Sequence, residues 1–205
     1  MKSLFTNPFF DFLNTLCNFI VLNLIFLISC LPIITIGTAL SSLYCVTLKE
    51  ARGENGYLVR HYLKNFKHNL KQGICAFLVL FLAFAALLFG FFFWYSFDTL
   101  PSMIVTALIF VGAIAWFLIF TYTFPLIARF ENSTLQTLKN AFLLALSNLK
   151  YTLALLLVDA FAFFTCLYFP PARLFMVFVG FAFIAYCHSF ILKHIFEPFE
   201  IAIQS

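Results

Sequence analysis

Long uncharged apolar runs alternate with short charged gaps along the whole chain, at about residues 12–31, 33–48, 73–97, 102–127, 149–169 and 172–192. A bilayer's hydrocarbon core is roughly 30 Å thick and is crossed by about 20 apolar residues of α-helix. The pattern therefore predicts an all-α fold, a polytopic transmembrane helix bundle of six spans forming one domain over residues 1–205. Proline decides the first two spans. Pro32 lacks a donor and disfavours helical geometry at Leu31. One helix through Phe12–Leu48 would also be roughly 55 Å long, too long even when tilted. A hairpin at Pro32 is the preferred reading, with five spans as the alternative. The second span is short, and Gly37, Ser41 and Cys45 at four-residue spacing offset this by letting a neighbouring helix approach closely.

Two gaps carry a helical period of their own. In residues 57–71, Val59, Tyr62, Leu63, Phe66 and Leu70 recur at three- and four-residue steps, opposed by Arg60, His61, Lys64, Lys67, His68 and Lys71. In residues 133–147, Ser133 followed by Gln136 is a capping-box pattern, with Leu135, Leu138, Phe142, Ala145 and Leu146 as the apolar face beside Lys139. Both are predicted to be amphipathic helices at the cytoplasmic interface, with Arg60, Lys64, Lys67, Lys71 and Lys139 as the candidate contacts to lipid or a partner. The sequence Leu-Lys-Asn recurs in the two gaps, at Leu63 and Leu138, which suggests a parallel internal repeat about 75 residues apart.

Composition narrows the class further. With 64% hydrophobic and 10% charged residues and a mean hydropathy of +1.04, the chain has too little polar surface to coat a water-soluble globule. No gap is long enough for a soluble module of about 50 residues. Six of the twelve Lys and Arg residues lie between Lys49 and Lys71, which the positive-inside rule makes cytoplasmic rather than a nucleic-acid patch. With six spans both termini are cytoplasmic and only Arg173 faces outward. The start of the chain lacks a signal-peptide cleavage pattern, so the first helix is expected to remain as a span. The six cysteines are dispersed with no Cys-x-x-Cys pair and read as buried apolar residues.

Candidate chemistry is sparse. Asp159 is the one acidic residue deep in an apolar run, where an ionisable group costs about 2.5–3.5 kcal/mol on insertion scales and should find a partner in the bundle interior. Asn18 and Asn23 of the first span are the candidate partners, with Thr152 on the same helical stripe as Asp159. His188 and His194 lack the further donors a metal would need, so neither a metal nor a cofactor is expected. No nucleophile–base pattern or phosphate loop is present, and the chain is expected to be non-enzymatic.

The stretch Leu31–Leu40, running on through Tyr44, Leu48-Lys49 and Arg52-Gly53-Glu54, resembles the signature of the YesL-like family of bacterial membrane proteins, a domain of unknown function. The stretches Phe124–Asn132 and Gln136–Phe142, the opening Asn7-Pro8-Phe9-Phe10 and the closing Ile195–Phe199 are also similar to it. The resemblance implies a multi-pass protein of the bacterial cytoplasmic membrane, encoded beside carbohydrate ABC transporters and glycan-degrading enzymes. It leads to the expectation of an accessory or regulatory component of carbohydrate uptake. The bilayer and ABC transporter permease subunits would then be its partners, with self-association left open. The alternative reading is a small-solute or ion transporter that uses Asp159.

Overall fold

A computed structural model describes the backbone of residues 8–54, 56–97 and 99–204, and the side chains of residues 15–54, 56–97 and 99–197. These residues are helical almost throughout: α1 Pro8–Cys30, a 3-10 turn Ile33–Thr35, α2 Ile36–Ala51, α3 Leu58–His68, α4 Leu70–Tyr95, α5 Leu100–Arg129, α6 Thr134–Ser147, α7 Leu149–Tyr168, α8 Pro170–Phe175, a π-helical segment Met176–Gly180, and α9 Phe181–Gln204. No described residue lies in a strand.

Pro32 breaks the chain as its chemistry requires. It caps the 3-10 turn in extended geometry, and the Thr35 hydroxyl lies 2.7 Å from the carbonyls of both Ser29 and Pro32, tying the end of α1 to the start of α2. The resulting α2 is 16 residues long, runs three residues later than the 33–48 expected, and is buried along almost all of Gly37–Leu48. It is the axis of the bundle, packed by α1, α3, α4, α5 and α9.

Small and hydroxylated residues make that centrality possible. Where α2 crosses α4, Gly37 and Gly73 face each other with no room for a β-carbon on either, and the Thr38 hydroxyl donates to Leu70 O at 3.2 Å. Ser41 and Ser42 turn their hydroxyls back onto Thr38 O, so buried polar groups are satisfied within the helix. On the other side, the Ser189 hydroxyl of α9 meets Thr47 Oγ1 at 2.8 Å. The helix ends in a Schellman motif: Glu54 N bonds Lys49 O, Gly53 N bonds Glu50 O, and Gly53 takes φ +76°.

Four helices are long and apolar enough to cross a membrane: Leu70–Tyr95, Leu100–Arg129, Leu149–Tyr168 and the continuous Pro170–Glu197. Their outer faces carry exposed Phe81, Leu82, Phe89, Phe92, Leu108 and Phe161. Such a surface exceeds by far the few hundred Å² of apolar patch a soluble monomer shows. The architecture is that of a multi-pass membrane protein. Within α1 the described apolar stretch, Thr15–Cys30, is shorter.

The structure differs from the sequence expectation at helix boundaries and in one buried face. The basic amphipathic helix ends at His68, and Asn69 (φ −91°, ψ 8°) separates it from α4. Lys71 therefore stands on α4 rather than on the basic helix. The last membrane-length helix begins at Pro170, and its α8, π and α9 parts form one continuous rod. In α6, whose N-cap Ser133 accepts from Gln136 N as its capping pattern predicts, the buried face is Thr137, Ala141, Leu144 and Ala145. Leu135 and Leu146, expected on that face, are exposed.

The halves repeat in arrangement. Asn69 joins α3 to α4 and Asn148 joins α6 to α7, each as C-cap of one helix and N-cap of the next. Asn69 N bonds Asn65 O and Gly73 N bonds Asn69 O; Asn148 N bonds Leu144 O and Thr152 N bonds Asn148 O. Aligning these junctions puts the two Leu-Lys-Asn motifs about one helical turn out of step. The likeness is thus one of the two junctions, and the shared tripeptide does not mark it.

Candidate functional site

Asp159 sits midway along α7, in a helix otherwise walled by leucine and phenylalanine, and its partner comes from α9. Asp159 Oδ1 lies 3.3 Å from His188 Nε2, a contact that does not meet the geometry of a hydrogen bond. The other imidazole nitrogen, His188 Nδ1, is 3.0 Å from the Tyr44 hydroxyl of α2. A tyrosine O–H donates to Nδ1 in the tautomer that places the proton on Nε2, toward the carboxylate. Three helices thus contribute a phenol, an imidazole and a carboxylate to one row. His188 is 3% exposed at its side chain and Asp159 34%, so the chain runs from the buried axis of the bundle to a surface the carboxylate shares with a cavity.

That cavity is about 640 Å³, within the range of small-molecule sites. Tyr44, Thr121, Asp159 and His188 are its polar lining, and Phe26, Phe117, Phe120, Phe124, Phe163 and Phe181 dominate the rest. It lies between α5 and α7, which scarcely pack on each other. They are joined by the Tyr122 and Thr152 hydroxyls at 2.8 Å, and α7 otherwise packs on α9.

Asn23 and Asn18 are not the partners of Asp159. Asn23 is fully buried and clamps the π-helical segment: its Nδ2 donates to Val177 O at 2.7 Å and Met176 O at 3.2 Å, while its Oδ1 accepts from Ala182 N at 2.9 Å. A π-bulge frees backbone groups from the regular ladder, and one amide side chain satisfies both kinds. Asn23→Ala is expected to cost about 1–2 kcal/mol, limited because the segment can rewind to α geometry and bond itself. Thermal unfolding in detergent, with amide exchange over 176–182, would check both the cost and the rewinding. Asn18 is half-buried on α1 and makes no side-chain hydrogen bond among the described residues. Thr152 belongs to the α5–α6–α7 junction, near Tyr122 Oη, Ala145 O and Asn148 O.

His188 and Tyr44 are the functional candidates that residue patterns did not single out. A signal existed for one of them: His188 is the one ring-nitrogen side chain near the membrane depth of Asp159 in the neighbouring span. Tyr44 stood out only as part of the family-like stretch, since an aromatic residue in an apolar run is ordinary core. Among the described residues no cluster of His, Cys, Asp and Glu is suited to hold a metal. Of the other candidate contacts, Arg60, Lys64, Lys67, Lys71 and Lys139 are exposed; Pro32 forms the bend and Gly37 the close crossing described above, while Ser41 is buried with its hydroxyl on Thr38 O.

Residues 19–91 match the family model described as Protein of unknown function, DUF624. The DUF624 match covers about a third of the chain, most of α1 and all of α2 and α3 with most of α4. It contains Tyr44, the Gly37–Gly73 crossing and Asn23, but neither Asp159 nor His188. No curated protein and no solved structure matches the chain.

Proposed function

We propose that this chain is a small-solute transporter of the bacterial cytoplasmic membrane in which Asp159 and His188 bind the solute and exchange protons with it. The observation that carries this reading is a carboxylate–imidazole–phenol chain lining a cavity between membrane-length helices. An ionisable residue within an apolar span is costly and points to a solute or proton path. The test is a thermal-shift screen of small metabolites on the purified chain in lipid nanodiscs, followed by uptake of any stabilising compound into proteoliposomes under a proton gradient. Uptake abolished by Asp159→Asn supports the reading. A screen in which parent and Asp159→Asn respond alike, or uptake indifferent to the gradient, overturns it.

The topology that goes with it has six spans, α1 and α2 included, with both termini cytoplasmic and the chain non-enzymatic. Eleven of the twelve Lys and Arg residues then face inward. Reporter fusions at the two ends should both report the cytoplasm; a tag at residue 1 reached from outside intact cells restores five spans. Helices α3 and α6 then lie at the inner interface, with Tyr62 of α3 buried against the bundle and Arg60, Lys64 and Lys67 exposed. Each basic residue near an anionic surface contributes about 1 kcal/mol. Lys64→Glu with Lys67→Glu should erase the extra thermal stability the parent shows in phosphatidylglycerol over phosphatidylcholine nanodiscs.

A second reading is favoured by that same exposed basic face and by the YesL-like resemblance. It is an accessory component of carbohydrate uptake that contacts ABC transporter permease subunits. Purification from native membranes in mild detergent separates the two: co-purifying permease subunits support the accessory role.

A further inference from the structure

We infer that the ligand of the Asp159 cavity is a lipophilic organic cation that enters from the bilayer between α5 and α7. This rests on the binding site proposed above, but not on proton exchange or transport. Charge is the first argument. Asp159 is the one acidic residue in the cavity lining, and no lysine or arginine lines it. One carboxylate oxygen is held by His188, and no described residue hydrogen-bonds the other. An anion would meet that carboxylate with no lysine or arginine beside it to offset it.

The walls select further. Seven phenylalanines line the cavity, and aromatic faces attract a cation electrostatically, most strongly where water is excluded. Pro125 of α5 has no N–H, so the carbonyl of Thr121, a lining residue, lacks its intrahelical donor and remains an acceptor. The lining is thus rich in apolar area and acceptors; its two hydroxyl donors, Tyr44 and Thr121, are already engaged with His188 Nδ1 and Phe117 O, and His188 Nε2 faces the Asp159 carboxylate. A sugar would leave most of its hydroxyls unpaired here, which excludes free carbohydrate as an occupant.

The route follows from packing. Past the Tyr122–Thr152 bond, α5 and α7 do not pack along their lengths, so the cavity faces the side of the bundle where the membrane lies. A ligand with a broad apolar body and one positive charge matches both the path and the end point.

Tetraphenylphosphonium and tetraphenylborate, near-isosteres of opposite charge, test this at equilibrium and fixed pH. The full chain is placed in phosphatidylcholine nanodiscs, and uptake by empty nanodiscs is subtracted. The expected result is one saturable tetraphenylphosphonium site per chain, weakened roughly tenfold or more by Asp159→Asn, and no saturable tetraphenylborate component. Ala160→Phe fills the cavity and leaves the Asp159–His188 pair in place, so it should abolish the site even if the Asn variant folds poorly. Saturable binding that survives both substitutions, or equal binding of the borate, overturns the inference. A chain that binds neither ion yet takes up another solute with protons loses the cationic ligand and keeps the transport reading.

Discussion

Gly73→Val is expected to leave no stable, monodisperse protein. A β-carbon on Gly73 would lie 2.6 Å from Thr38 Oγ1, 2.7 Å from Thr38 Cα and 2.8 Å from Thr38 N. Two of those atoms are backbone, so no rotamer change relieves the contact. The reciprocal position is as tight: a β-carbon on Gly37 would fall on the Gly73 carbonyl, 2.7 Å from Phe77 Cβ and 2.9 Å from Phe124 Cε1. The helices α2 and α4 would have to separate, and α2 also carries Tyr44 and Thr47 toward α9. Overpacking a core costs about 1–3 kcal/mol, and more when backbone must move. A loss of at least about 3 kcal/mol corresponds to a melting point lowered by roughly 10 °C in a chain of this size. Fluorescence-detected size exclusion with a melting curve checks it. Gly90→Ala is the control, because its β-carbon would meet only Ile109 Cδ1 at 3.3 Å, the mobile end of a side chain. A Gly73→Val protein that melts with the parent would show that the crossing does not limit stability.

The same crossing explains what the sequence made legible. Segment length and the proline break were readable because a bilayer sets the one and a missing donor sets the other; both leave marks at single positions. Which face of each helix points inward was harder. In water the buried face is the apolar one, but here lipid accepts large apolar side chains as readily as the interior does. Burial then follows size and polarity. Helix α6 is the clearest case: Leu135, Leu143 and Leu146 are exposed while Thr137, Ala141 and Ala145 are buried. The small and hydroxylated positions of α2, Gly37 and Ser41 among them, are buried for that reason. The end of α3 at Asn69 was not visible, since Leu70 and Lys71 continue the amphipathic period of the residues before them. The Asp159–His188–Tyr44 chain is set by how three helices pack, and nothing in the spacing of residues 44, 159 and 188 encodes their meeting.

Asp159→Leu should lower stability by about 3 kcal/mol, whereas Asp159→Asn should stay within about 1 kcal/mol of the parent. The leucine removes the only partner of His188 Nε2 among the described residues, at a side chain that is 3% exposed. A buried polar atom left unpaired loses its hydration with no replacement, and the imidazole cannot turn away without also losing the Tyr44 hydroxyl at 3.0 Å. An asparagine keeps an oxygen acceptor in nearly the same place, so its fold should hold. A second change tests whether the penalty is indeed the orphaned imidazole: replacing both partners of a buried pair by apolar residues can be nearly neutral. Asp159→Leu with His188→Leu should therefore recover part of the loss, and adding Tyr44→Phe should recover most of the rest by removing the hydroxyl left without an acceptor. Melting curves of the four variants decide it. If Asp159→Leu is as stable as Asp159→Asn, the pair contributes nothing to the fold and His188 reaches water through the cavity. If the apolar triple is stable and the Asn variant is stable but no longer takes up solute, the polar chain is retained for binding and proton exchange, since the fold then stands without it.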